Sequence, residues 1–455
     1  MTDVVSQTAL DELVGGFSGQ ILEPGDAGYE EARQVHNGFI DKRPALIARC
    51  QDTADIVDAV NHGRDEGLEI SVRGGGHNVA GRAVTDGGLM IDLQPMKGIY
   101  VDAGTRRVRA QGGLTWAEYN RATHAHGLAT TGGTVSTTGI AGLTLGGGVG
   151  WLMGKHGIAI DNLRSVELVT ADGQIRRANA DDDPDLLWAL QGGGGNFGVA
   201  ASFEYDAHPI STVFGGLIAF DLPDGPQVFD FFRDFTADLP DELIAFCGLV
   251  HAPDGSGHKI AVLPFCHCGN PADGEKAADA VRGAATPLVD MLGPMPYPAI
   301  NTLLDDGFPK GARNYWKSAF FKDLSDETVG IMTDAFQRAP SIMSGMLVEH
   351  FHGAVTRVAA TDTAFPHREP GYNLVLVAEW LDPSDDDANI AWARETFAAL
   401  SPHMADTSYV NYLDGDDNDR VRMAYGPNWD RLVKLKKRYD PENLFRLNQN
   451  ISPKA

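Results

Sequence analysis

The sequence is short of positive charge, of cysteine and of long apolar runs, and each shortage removes a class of function. Lys and Arg number 37 against 62 Asp and Glu, a formal net charge of −25. Nucleic acid and anionic membrane surfaces both call for clustered Lys and Arg, so neither is an expected partner. The acidic excess is spread along the chain and reads as a solvated surface. Four cysteines, Cys50, Cys247, Cys266 and Cys268, are too few and too scattered for a disulfide framework. Cys266-His267-Cys268 has no second ligand pair at a zinc-like spacing, and residues 259–265 before it read as a strand, so no metal is expected. No stretch reaches the roughly 18 apolar residues of a membrane span. The amino terminus lacks the basic and apolar regions of a signal peptide, and a cytoplasmic protein is expected.

What the chain has in abundance is glycine, 53 residues. The glycines gather in the first half, in clusters at 74–76, 146–148 and 192–195. Residues 70–77 read Ile-Ser-Val-Arg-Gly-Gly-Gly-His, a short β-branched run that breaks into a glycine turn with His77 at its lip. Glycine backbone approaches a phosphate closely and leaves N–H groups free to face the anion. The turn therefore reads as a diphosphate cradle. Gly193, Gly195 and Gly198 satisfy G-x-G-x-x-G, but the dinucleotide fingerprint needs strand, glycines, helix and a later acidic residue. Here a helix over 186–190 precedes and a strand over 199–205 follows, so the fold is not Rossmann.

A chain of 455 residues is long enough for two domains. Glycine richness fades after Pro209, and residues 209–405 alternate long strands with amphipathic helices carrying Tyr315, Trp316, Phe320, Phe321 and Trp380. The style changes again with Tyr409-Val410-Asn411-Tyr412 and an Arg/Lys-rich helix over 428–439. The expected divisions are 1–208 (core about 41–208), 209–405 and 406–455. In the middle part, strand 347–352 puts His350 and His352 on one face and Glu349 on the other. Period-2 alternation leaves open which face is buried.

Five motifs occur in order: Ser71 to His77, the run Thr-Thr-Gly-Ile-Ala-Gly-Leu-Thr-Leu-Gly-Gly-Gly-Val-Gly over 137–150, residues 192–199, Tyr409-Val410-Asn411-Tyr412, and residues 439–451. Together they resemble the FAD-linked oxidases of the vanillyl-alcohol oxidase superfamily, in the berberine-bridge-enzyme-like branch. The resemblance spans almost the whole chain and thins over the middle part. It implies an α+β, two-domain PCMH-type FAD-binding fold, with a sheet-and-helix substrate domain and a carboxyl-terminal segment that completes the FAD-binding domain. It implies FAD attached covalently through His77. A single tether is implied, because Val135 stands where some relatives carry a second-tether cysteine. The implied FAD contacts are Arg73, Gly74, Gly75, Gly76, Asn78, Gly81, Gly133, Thr134, Ser136, Thr137, Gly139, Gly142, Val199, Tyr409, Asn411 and Asn448. Thr138 falls where relatives carry a residue that influences access of oxygen.

The implied reaction moves a hydride from a small organic substrate (an alcohol, an amine or a cyclic secondary metabolite) to the flavin, which molecular oxygen reoxidises with release of hydrogen peroxide. Such a reaction needs a group to take the substrate proton. Glu349, His350 and Tyr412 are the candidates, with Thr138 beside the flavin. The aromatics of the middle part favour a partly apolar, cyclic molecule over a bare sugar. Two alternatives stand beside the oxidase: a flavin dehydrogenase serving a quinone or protein acceptor, and a catalytically idle flavin- or ligand-binding protein. Neither the substrate nor an oligomeric state is legible in the sequence.

Overall fold

A computed structural model describes residues 7–321 and 323–455. The expected opening helix runs Gln7–Gly16, and residues 1–6 lie outside the described range. Three sheets organise the rest. The smallest joins Gln20–Leu22, Leu46–Arg49, Leu89–Asp92 and Ile70–Arg73 in that spatial order, and its last three strands are parallel. Parallel strands are covered on both faces and so read as unbroken apolar runs. Leu46, Ile47 and Ala48 beside Met90 and Ile91 fit that rule, all of them buried. Helix Thr53–Asp65 makes the crossover, and the Asp52 side chain caps it by accepting from the Asp55 amide.

The second sheet is antiparallel and orders Ile99–Asp102, Arg107–Gln111, Val199–Asp206, Leu163–Val169 and Ile175–Asn179. Helix Pro184–Leu190 precedes the third glycine cluster and strand Val199–Asp206 follows it. That is the reverse of the dinucleotide fingerprint. Helix Trp116–His124 begins with a reciprocal capping box between Thr115 and Glu118.

The third sheet has eight strands, all drawn from the middle of the chain. Its spatial order is Pro287–Asp290, Thr212–Asp221, Lys259–His267, Leu243–His251, Gly345–Phe351, Gly371–Trp380 and Arg313–Phe321, with Gly293–Pro296 also paired to Thr212–Asp221. Alternation decides what each face carries. Met346, Val348, Leu374, Leu376, Ala378 and Trp380 turn to one core with Phe229, Phe232, Met332, Phe336 and Trp392 of the covering helices. The odd-numbered residues of the same strands turn the other way, toward the glycine-rich half.

The carboxyl-terminal segment returns to that half. Within helix Trp429–Tyr439, the fully buried Lys436 donates to the Asn196 carbonyl at 2.8 Å, to Asp440 at 2.7 Å and to the Phe445 carbonyl at 2.8 Å. All three ammonium protons are thus satisfied, as a buried cation requires. Asp440 in turn accepts the Leu444 and Phe445 amides at 2.7 and 2.9 Å. At the other end of the chain, Asn37 bonds both backbone groups of Asn314, which ties the segment before Gly38 to the edge of the eight-stranded sheet.

Candidate active site

A cavity of about 290 Å³ separates the glycine loops from the eight-stranded sheet. On the loop side it is lined by Gly74, Gly75, Gly76, Asn78, Gly133, Thr134, Val135, Gly139 and Gly142, and farther along by Gly194, Gly195 and Gly198 with Phe445, Leu447 and Asn448. The first two loops touch back to back. A methyl group at Gly75 would stand 2.3 Å from the Gly139 amide nitrogen, and one at Gly139 equally close to the Gly75 nitrogen. Only two glycines allow that approach. At Gly142 and Gly195, by contrast, an added methyl would meet nothing within 4 Å. Those positions leave room along the wall for a long ligand, and the buried Asn448 Oδ1 has no hydrogen-bond partner among the described residues. Gaps at glycines together with an unmet acceptor suit a dinucleotide-sized group such as FAD.

Opposite, the sheet contributes Trp316, Leu347, Glu349, Val375 and Val377, and neighbouring segments add Leu304, Phe308, Asn411 and Tyr412. Glu349 is the acid of this wall, and it is 1% exposed. Its Oε1 accepts from the Tyr412 hydroxyl at 2.9 Å and its Oε2 from the Asn373 amide, its register partner, at 2.7 Å. Burial pushes the Glu349 carboxyl up to about 7, against the pull of those two donors. Tyr412 is pushed well above the usual phenol range, first by burial and then by the Glu349 charge. Trp316 and Tyr409 hold Tyr412 between edge-on rings, with centroids 6.0 and 4.9 Å away.

His77 stands where the glycine turn ends. Its Nε2 lies 2.9 Å from Thr137 Oγ1 and its Nδ1 3.4 Å from Thr138 Oγ1. The His36 ring stacks on it, with centroids 3.8 Å apart and planes 24° apart. Burial pushes both rings down: His77 well below the usual imidazole range, with His36 adding to it, and His36 to about 4, with Lys310 adding. The two imidazoles are shared with a second cavity of about 310 Å³, which lies on the far side of Gly74 and Gly75 and is lined by Thr137, Gln94, Lys97 and Lys310.

The expected site residues do not all meet in the main cavity. His350 is a correction. It sits on the same face as Met346 and Val348, its ring 5.1 Å from Tyr372 and 4.8 Å from His352, and burial pushes it down to about 3. The sheet lies between it and the cavity, whose face carries Glu349. Arg73 does not reach toward a diphosphate; it forms a buried two-pronged pair with Asp92 at 3.0 and 2.6 Å. Gly81 closes a turn on the Asn78 carbonyl. Ser136 bonds Asp305 through both its amide and its hydroxyl. Val199 points into the core under the small sheet, and Gly198 and Ala200 line the cavity in its place. Tyr409 is buried, accepting from the Gly148 amide at 2.7 Å. Thr137 faces the second cavity. His36, Asn373, Leu304, Phe308, Val375 and Val377 carry no motif, and periodicity alone does not mark them out.

The family model described as FAD binding domain matches residues 44–179, and the one described as berberine and berberine like matches 408–452. (R)-6-hydroxynicotine oxidase of Paenarthrobacter nicotinovorans is 30% identical, over 96% of this chain and 98% of its own length. An FAD-linked oxidoreductase of Dictyostelium discoideum is 28% identical over 98% and 97%. The crystal structure of 6-hydroxy-D-nicotine oxidase from Arthrobacter nicotinovorans superposes with a TM-score of 0.88 at 28% identity, covering 96% of this chain and 98% of that one. Xylooligosaccharide oxidase from Myceliophthora thermophila shares the fold, with a TM-score of 0.86 at 21% identity over 98% and 99%. The fold is the α+β PCMH-type FAD-binding fold. Among the described residues no helix is long and apolar enough to cross a membrane. The chain is an enzyme that uses FAD and belongs to the berberine-like FAD-linked oxidoreductases of the vanillyl-alcohol oxidase superfamily.

Proposed function

We propose that the protein is an oxidase of a carbon bearing a hydroxyl or amine: FAD, which His77 would tether once, would supply the hydride acceptor, with molecular oxygen as the final acceptor and hydrogen peroxide as the product. One observation carries the reading: the Tyr412–Glu349 pair faces the glycine loops across a single cavity. Bound FAD supplies the hydride acceptor. The glycine loops would hold its diphosphate, and Gly142, Gly195 and Asn448 leave the space and the acceptor that suit it.

The chain's own side chains handle the proton. Tyr412 hydroxyl donates to Glu349 Oε1, so as Tyr412 accepts a proton from the substrate it passes its own to the carboxylate. A carboxyl that burial raises toward neutrality suits that duty. Asn373 fixes the carboxylate from its other oxygen and keeps it aimed. Trp316, Phe308, Leu304, Leu347, Val375 and Val377 offer a substrate no hydrogen-bonding group beyond the Trp316 indole, and that N–H is already bonded to Asn314. Each buried hydroxyl left unpaired costs about 1–3 kcal/mol, so a polyol is disfavoured and a compact, largely apolar ring is accommodated. Among the described residues no lysine or arginine stands on this wall, and Arg82 lines the same cavity away from the sheet.

The test is anaerobic mixing with a panel of cyclic alcohols, cyclic amines and sugars, followed by admission of air. Loss of the yellow colour with a cyclic alcohol or amine, its return in air, and one peroxide per turnover are expected. Colour that returns with a quinone and not with air removes oxygen as the acceptor. No bleaching by any member of the panel counts against the catalytic reading, and an intact chain mass without FAD removes the tether.

A further inference from the structure

The two cavities that share His77 are sorted by its two neighbouring threonines. Thr138, near Nδ1, lines the main cavity and not the second; Thr137, near Nε2, lines the second and not the main one. A neutral imidazole has one N–H and one lone pair, and only the nitrogen with the lone pair can bond to carbon. At 2.9 Å the Nε2–Thr137 contact is a normal hydrogen bond, whereas the 3.4 Å Nδ1–Thr138 contact is long. Thr137 Oγ1 can accept from Nε2–H or donate to Nε2; when Nε2–H donates, the Nδ1 lone pair is left facing the FAD cavity. His36, stacked on the ring at 3.8 Å, holds the imidazole plane and is itself fixed by main-chain bonds from its N–H to the Gly76 carbonyl and to its carbonyl from the Gly311 amide.

We propose, resting on the tether reading above, that Thr137 and His36 are positioning residues for flavin attachment: Thr137 selects the tautomer that places the bond at Nδ1, and His36 keeps the ring in the plane from which that nitrogen reaches the cofactor. The chemistry balances with dioxygen as oxidant. A C–H bond of the flavin 8α-methyl and the Nε2–H bond break while the Nδ1–C bond forms. The isoalloxazine takes up two electrons and two protons, and dioxygen accepts both pairs as hydrogen peroxide. The Nε2 proton leaves on the Thr137 side, where that exposed hydroxyl opens onto the second cavity, which Gln94, Lys97 and Lys310 also line.

The test uses full-length protein, the intact mass of the denatured chain, and two-dimensional NMR of the histidyl-flavin peptide. Wild type carries one covalent FAD bonded through Nδ1. Thr137→Val binds FAD but attaches it about tenfold more slowly or worse, the cost of losing a proton acceptor, and Thr137→Ser restores the rate. His36→Ala slows attachment likewise, while His36→Phe, which keeps a stacking ring, restores it. Yellow colour lost on denaturation and filtration shows that a slowed variant is folded and loaded without the bond. An Nε2 linkage, or wild-type attachment in both Thr137→Val and His36→Ala, overturns the positioning role and leaves the tether standing. A wild-type chain with no covalent FAD overturns both together.

Discussion

The cavity has two walls built on opposite principles. The glycine wall is main chain: Gly75 and Gly139 press backbone to backbone, and the ligand would lie against amides and open space. The sheet wall is side chain: Trp316, Leu347, Glu349, Val375 and Val377 project from a ladder that does not depend on which residues they are. A wall of backbone admits almost no substitution and preserves one ligand. A wall of side chains can be rewritten residue by residue without disturbing the strands. The same fold accordingly carries relatives named for a hydroxynicotine and for a xylooligosaccharide.

The sharpest probe of the sheet wall is Glu349→Gln. It should lower kcat/KM by about 10²–10⁴-fold, the usual worth of a positioned base, with flavin content per chain unchanged. The same acid sets a pH profile in wild type. The ionised carboxylate is the proton acceptor, so kcat/KM rises with pH through about 7 and levels above it. A flat profile between pH 5 and 9 would remove Glu349 from the proton path.

On the glycine wall the expected currency is stability. Gly75→Ala forces a methyl to within 2.3 Å of backbone nitrogen, and should cost about 3 kcal/mol, read as a lower thermal midpoint and a loss of bound flavin. Gly142→Ala, whose methyl meets only cavity, should leave the midpoint of flavin-free protein unchanged or raise it, because alanine favours helix Ile140–Gly146. It should weaken FAD binding all the same. Equal effects of the two substitutions would abolish the distinction drawn between them.

A smaller effect is expected at Glu379, beside Trp380 at the end of the sheet wall. Neither of its oxygens has a hydrogen bond of normal geometry among the described residues, although Asn314 lies opposite in register and offsets part of the cost. Burial pushes its carboxyl up to about 8. The folded chain therefore holds a proton that the unfolded chain releases near 4.5, and stability falls as pH climbs between those values. Glu379→Gln removes that decline and should be roughly 1–3 kcal/mol more stable than wild type at pH 8.5, the gap closing toward pH 5 in thermal melts. The smallest effect belongs to His350→Gln, across the sheet from the cavity: kcat and KM should stay within about twofold of wild type.

The glycine wall was legible in the sequence because backbone requirements surface as residue identity. Gly74 to Gly76 and Gly139 announce a loop whatever surrounds them, and the helix-before-strand order around Gly193 already argued against a dinucleotide fingerprint. Arg73 misled, because an arginine beside a phosphate-type turn is equally suited to pairing with Asp92 one strand away. In strand Gly345–Phe351, alternation separated Glu349 from His350 but could not rank them. Both faces of that strand are buried, so polarity carries no sign of which side is the cavity. His36 was silent, since its partner lies 41 positions away and a stacked ring leaves no spacing to read.

Phe445, Leu447 and Asn448 supply part of the hollow, and Lys436 pins them to the third glycine cluster. A ribosome delivers these residues after every strand of all three sheets. The hollow is therefore complete only when this late segment has folded back onto the glycine-rich half.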